Sequence, residues 1–263
     1  MKHCFIITLL AITFGYKSIS QNNSGLIEYT YTITEAKNNS SKSGLPGFTT
    51  SVLHFKKDKT YYYEMNPSLG QNESSISKIS NSDNNSSVVL RSNEALLFQL
   101  FIDYRIDSFY ISDFVIRKFE NYCGRNVEPK WVLSDQYKTI GKFKCQMAST
   151  DLLGRKWEAW FTSEIPYPYG PWRLNGLPGL ILEANDIEGK YLFSFNKIIY
   201  PANFPSLKFE QDIVNRQITF VNEESFIIKR KKRKADLEAL LKANSQDGNS
   251  SVTVKGGETR ENY

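Results

Sequence analysis

Along most of the chain, apolar and polar residues alternate with the period of two that marks a half-buried strand. Gly25–Thr34 is the cleanest run: Ile27, Tyr29, Tyr31 and Ile33 share one face, and Glu28, Thr30, Thr32 and Thr34 the other. Ser51–Lys56 and Thr60–Met65 read as a hairpin across Lys57-Asp58-Lys59. Val88–Leu90 reads as a brief strand. Glu94–Ile102 suits a strand or a short helix, and the β-rich Phe109–Phe119 beyond it favours the strand. Lys130–Asp135, Lys142–Thr150 and Lys156–Thr162 form three successive strands, with Phe143, Cys145 and Met147 on one face of the second. Leu180–Ala184 pairs with Tyr191–Ile199 across a short Asn/Asp/Gly connection, a strong hairpin cue.

One helix is expected, over Asn222–Ala243, with Asn222 as N-cap and Glu223 and Glu224 where the helix dipole favours acids. The fold class that follows is mainly β: a curved or partly closed antiparallel sheet with a C-terminal helix. Residues 25–225 form the β-rich domain, 222–243 the basic helix and 244–263 a polar, disordered tail. Asn66–Ser87, rich in Ser and Asn, reads as a loop.

The alternation breaks at Ile165–Glu183, IPYPYGPWRLNGLPGLILE. Pro166, Pro168, Pro171 and Pro178 exclude an ordinary helix and bias their predecessors to extended geometry. Leu177-Pro178-Gly179-Leu180 fits a type II turn with Gly179 at the positive-φ position. Trp157, Trp160, Tyr167, Tyr169, Trp172 and Arg173 crowd around this segment. Such rings either cover one side of a sheet or offer a rigid surface to a peptide, a sugar or another apolar ligand.

The motif Gly176-Leu177-Pro178-Gly179-Leu180-Ile181-Leu182 resembles the signature of the GLPGLI family, exported bacterial proteins found mainly in Bacteroidetes. Trp131-Val132-Leu133, Ile140–Ala148, Gly154–Thr162, Ile165-Pro166 and Gly170-Pro171 extend the resemblance over roughly Trp131–Tyr200. It implies a Gram-negative envelope location, periplasmic or associated with the outer membrane. A role accessory to outer-membrane transport or assembly is also implied. It brings no catalytic residues.

Residues 1–20 agree with export: Lys2 and His3 precede the apolar run Cys4–Phe14, and Ser18-Ile19-Ser20 suits a signal peptidase. Removing them lowers the formal charge from +5 to +3, too little for a nucleic-acid face. Cys123 and Cys145 then remain, a disulfide candidate in an oxidising compartment or two separate thiols.

Candidate chemistry is sparse. His54, alone in the chain after residue 20, lies within a strand, and one His with two Cys falls short of a zinc site. No cofactor is expected. Glu158, Glu164, Glu183, Asp186 and Glu188 leave a carboxylate-pair hydrolase as the alternative, with Glu183 placed to face a groove. The leading expectation is a non-enzymatic envelope protein that binds a partner protein or apolar ligand through the aromatic segment and Glu183. A purely structural interaction protein is the third reading. Lys229–Lys234 suits a solvated helix or peripheral contact with anionic membrane components.

Overall fold

The computed structural model describes residues 24–34, 47–65, 80–82, 85–87, 96–115 and 118–243. The expected signal segment, the strand at Val88–Leu90 and the tail beyond Ala243 lie outside them. The first strands are β1 (Ser24–Ile33), β2 (Gly47–Lys56) and β3 (Lys59–Met65). After a separate two-stranded pair, β4 (Ser80–Ser82) and β5 (Asn85–Ser87), come β6 (Leu96–Asp103), β7 (Ser108–Val115) and β8 (Lys118–Arg125). The second half holds β9 (Val132–Ile140), β10 (Phe143–Leu152), β11 (Arg155–Thr162), β12 (Leu180–Asp186) and β13 (Tyr191–Ile199). Helix α1 (Lys208–Val214), the short β14 (Val221–Asn222) and helix α2 (Glu223–Ala243) complete the chain.

Twelve strands make one sheet, in the order β14-β8-β7-β6-β3-β2-β1-β13-β12-β11-β10-β9. It is open, with β14 and β9 at its two ends, and antiparallel except for the β14–β8 pair. The alternation places Ile27, Tyr29 and Tyr31 in the core, while Ile33 at the strand end is exposed. The sheet curves strongly. Tyr62 on β3 and Phe193 on β13 have β2 and β1 between them, roughly 14 Å across a flat sheet. Their ring centroids nevertheless stand 6.4 Å apart.

The two faces of the β2–β7 part have different covers. Tyr62, Leu100, Ile102, Phe109 and Ile111 point to the concave core. Their neighbours Tyr61, Phe101 and Tyr110 point the other way and pack against Phe204, Leu207, Phe209 and Phe220 of the α1 segment. An ion pair of 2.5 Å between Lys59 and Glu210 pins α1 there. Helix α2 starts as expected: the Ser225 N–H donates to Asn222 Oδ1 at 2.8 Å, a side-chain N-cap. Phe226 then stacks on Tyr122 of β8 with centroids 3.9 Å apart.

Candidate functional site

The proline-rich ribbon between β11 and β12 lies inside the curve of the sheet. It satisfies its own backbone through a chain of short bonds, among them Tyr167 N–H to Ile165 O and Tyr169 N–H to Tyr167 O, both 2.8 Å. Ile181 N–H donates to Tyr169 O at 2.9 Å and Gly176 N–H to Pro168 O at 2.9 Å, which folds the ribbon back on β12. Glycine supplies the close approach. A Cβ on Gly170 would stand 2.8 Å from Ile181 Cβ, and one on Gly179 would stand 2.1 Å from the Thr162 carbonyl oxygen. The type II turn at Leu177–Leu180 is not formed: the positive φ falls on Gly176, at 91°, rather than on Gly179. Gly179 is required for space.

Side chains of the ribbon tie distant parts of the sheet together. The Tyr169 hydroxyl donates to Lys57 O in the β2–β3 turn at 2.6 Å, and its ring stacks on Tyr104. Asn175 O accepts from Trp131 Nε1 at 2.7 Å. Arg173, 2% exposed, donates to Glu223 Oε1 at 2.6 Å and places its guanidinium 4.1 Å from the Phe109 ring centroid. Trp172, held at a positive φ of 55°, packs 5.4 Å from Trp157.

These contacts correct the expected recognition surface. Trp157, Tyr167, Tyr169, Trp172 and Arg173 are buried, because the curved sheet wraps the ribbon and uses its rings as core. Gly170, Pro171, Leu177, Gly179, Leu180 and Ile181 of the motif are buried with them, while Pro178 is exposed. Trp160 and Glu183 differ. They are register partners across β11 and β12, half-buried on the face opposite Trp157 and Ala159. Lys138 of β9 joins them, its Nζ 2.5 Å from Glu183 Oε2 and 4.4 Å from the Trp160 ring centroid. The strand expected at Lys130–Asp135 runs to Ile140, and that longer reach is what brings Lys138 to the site. Tyr137 is the one large apolar residue within Ser134–Thr139, so no alternation marked the extension.

Two of the candidate carboxylates share one cation, and Glu164 and Glu183 are engaged elsewhere. Asp186, 1% exposed, holds Arg155 at 3.1 Å and accepts the Tyr191 N–H at 2.8 Å. Glu188 pairs with the same Arg155 at 3.0 Å, and Glu164 accepts the Lys144 N–H at 2.9 Å. Glu183 and Asp186, an odd number of positions apart on one strand, face opposite sides of the sheet. His54 packs beside the Tyr61 and Tyr63 rings, with centroids 6.4 and 6.0 Å away, and burial lowers its pKa. Among the described residues no group of three or more His, Cys, Asp or Glu could hold a metal ion.

Cys123 and Cys145 are both free, so the disulfide candidate is not formed. They belong to β8 and β10, near opposite ends of the sheet. In the basic run, Arg230 bonds Asp113 at 3.0 Å and Arg233 bonds Glu120, so two of its charges fasten α2 to β7 and β8. Lys229 and Lys232 are exposed. No helix among the described residues is long and apolar enough to cross a membrane.

A known family matches on this segment, and it fits the GLPGLI resemblance only loosely. Residues 153–183 match the family described as "Protein of unknown function (Porph_ging)", over β11, the ribbon and the start of β12. No curated protein matches the chain. The fold is similar to a solved structure of PNGF-II, at a TM-score of 0.50 and 12% identity over 81% of this chain. A second crystal form of PNGF-II aligns at a TM-score of 0.46 and 12% identity, over 79% of this chain and 32% of that one. The aligned part is 34% of the first PNGF-II chain, so this chain spans about a third of its length.

Proposed function

We propose that the protein is an exported, non-enzymatic component of the cell envelope that binds a partner protein, in support of transport or assembly at the outer membrane. Its recognition site is the Trp160–Lys138–Glu183 patch. The supporting observation is a division of labour among the rings. Five of the seven residues first considered for binding are core, whereas Trp160 and Glu183 stay half-buried and are held in place by a lysine from the edge strand β9. A fixed indole beside a paired charge suits protein recognition, since little side-chain freedom is lost on contact. Lys229 and Lys232 on α2 add weak attraction to anionic lipid headgroups.

Cell fractionation and cross-linking test this reading together. The expected result is a processed protein in the envelope fraction and one discrete cross-linked protein adduct, lost in the Trp160→Ala/Glu183→Ala variant. A cytosolic protein, or an adduct unchanged in the variant, would overturn it. A co-purifying lipid or glycan lost in the same variant would favour a ligand carrier instead.

A further inference from the structure

The two ends of the sheet are finished differently. At one end, β14 adds two residues to β8, and α2 stacks Phe226 on Tyr122 and bonds Arg230 to Asp113. At the other, β9 is the last strand, nine residues long, and no described strand lies beyond it. Three of its apolar side chains are unusually open, Val132 at 68% exposed, Leu133 at 51% and Tyr137 at 54%, whereas Ile140 at its end is buried. Sheet edges are ordinarily blunted by prolines, bulges or charges, because their free N–H and C=O groups template further pairing.

Part of β9 carries such protection. Its pairing with β10 jumps from Tyr137↔Gln146 to Leu133↔Ala148, so residues 134–136 bulge out. Ser134 fixes the bulge, its Oγ accepting the Gln136 N–H at 3.2 Å and its carbonyl accepting Gln146 Nε2 at 2.8 Å. The regular run is therefore Tyr137–Ile140, beside Phe143–Gln146.

We propose that this run docks an extended, acidic segment of the partner protein, added as a further strand. The inference rests on the partner-binding reading, whose Lys138 belongs to the same strand. Charge selects the occupant. Lys142 and Lys144 are exposed on the hairpin, and Lys144 Nζ sits 4.8 Å from the Tyr137 ring centroid. Lys130 is exposed just before the strand, and Asp135, within the bulge, is its one acid. A second copy of this chain would bring together the lysines that flank each edge, whereas an acidic strand meets opposite charge. Main-chain bonds would supply affinity and the lysines and Tyr137 the preference, the logic of β-strand addition.

The probe is a fluorescent hexapeptide of alternating Asp and Val, with a Lys/Val hexapeptide and an alternately N-methylated Asp/Val hexapeptide as controls. The full chain is expected to bind the Asp/Val peptide at least about tenfold tighter than either control, a gain of the size charge complementarity gives. Lys142→Glu/Lys144→Glu should reverse the charge preference with the thermal midpoint unchanged. Hydrogen exchange should slow within Tyr137–Ile140. Equal binding of all three peptides, or protection elsewhere, overturns the proposal. So does a dimer in sedimentation that is lost in the same variant, because the edge then belongs to a second copy. If the envelope adduct is lost in Trp160→Ala/Glu183→Ala but kept in Lys142→Glu/Lys144→Glu, partner binding stands and edge docking fails. If neither variant changes the adduct, both fail.

Discussion

Arg173 is the residue on which the interior turns. A guanidinium that is 2% exposed retains its charge, so its burial depends on what surrounds it. Glu223 supplies the countercharge at 2.6 Å and the Phe109 face supplies a cation–π contact at 4.1 Å. Glu223 is itself the first residue of α2, where an acid also favours the helix N-terminus. One side chain thus links ribbon, β7 and helix. Breaking a buried pair by removing one partner costs about 3–5 kcal/mol. Arg173→Ala should fall near about 3 kcal/mol, because the remaining Glu223, 23% exposed, keeps access to water. Arg173→Lys should recover only part of this loss, since an ammonium cannot stack flat on Phe109 while reaching Glu223. Urea unfolding midpoints check both values, and a cycle with Glu223→Ala isolates the pair.

Among the elements, the ribbon shows what local pattern can and cannot reveal. The strands were readable because a sheet with one buried face repeats every two residues: β13 runs over the expected Tyr191–Ile199, and β3 begins one residue early. The α2 cap was readable from Asn222 and the two glutamates. The ribbon's non-helical path was readable from its prolines, but its place inside the sheet was not. Tryptophan, tyrosine and arginine serve a core and a binding surface equally well, and only the long-range curvature decides between them. The turn at Gly179 was misread for a related reason, since a glycine kept for space looks like one kept for positive φ. That distinction makes a prediction. Gly189 has φ 69° and nothing within 4 Å of an added Cβ, so Gly189→Ala should cost only the left-handed penalty of about 1–2 kcal/mol. Gly179→Ala drives a methyl to 2.1 Å from a backbone carbonyl and should exceed the ~1–3 kcal/mol usual for overpacking. Thermal melts should rank Gly179→Ala well below Gly189→Ala. Equal melting temperatures would mean that the ribbon lies loosely.

For the whole molecule, strand order is the property no local signal carries. β1 pairs with β13, as in Leu26↔Ile199, and that pairing joins the two halves of the sheet. The same order separates the cysteines, whose distance the sequence did not give: one is on β8, second in the sheet, and the other on β10, eleventh. Thiol titration in denaturant without reductant should therefore count two free thiols per chain once residues 1–20 are gone. In the folded protein, burial pushes the Cys145 thiol up to about 11 from its ordinary value of 9.0. The folded state then holds that proton more tightly than the unfolded chain does. The resulting stabilisation is complete below pH 9 and is lost as pH rises from 9 to about 11. Cys145→Ala removes the titration, so its unfolding midpoint should fall less steeply than the parent's across that window. Parallel midpoints from pH 9 to 11 would show that the thiol ionises as easily in the fold as outside it, and with that the tight packing of the β10 end would have to be abandoned.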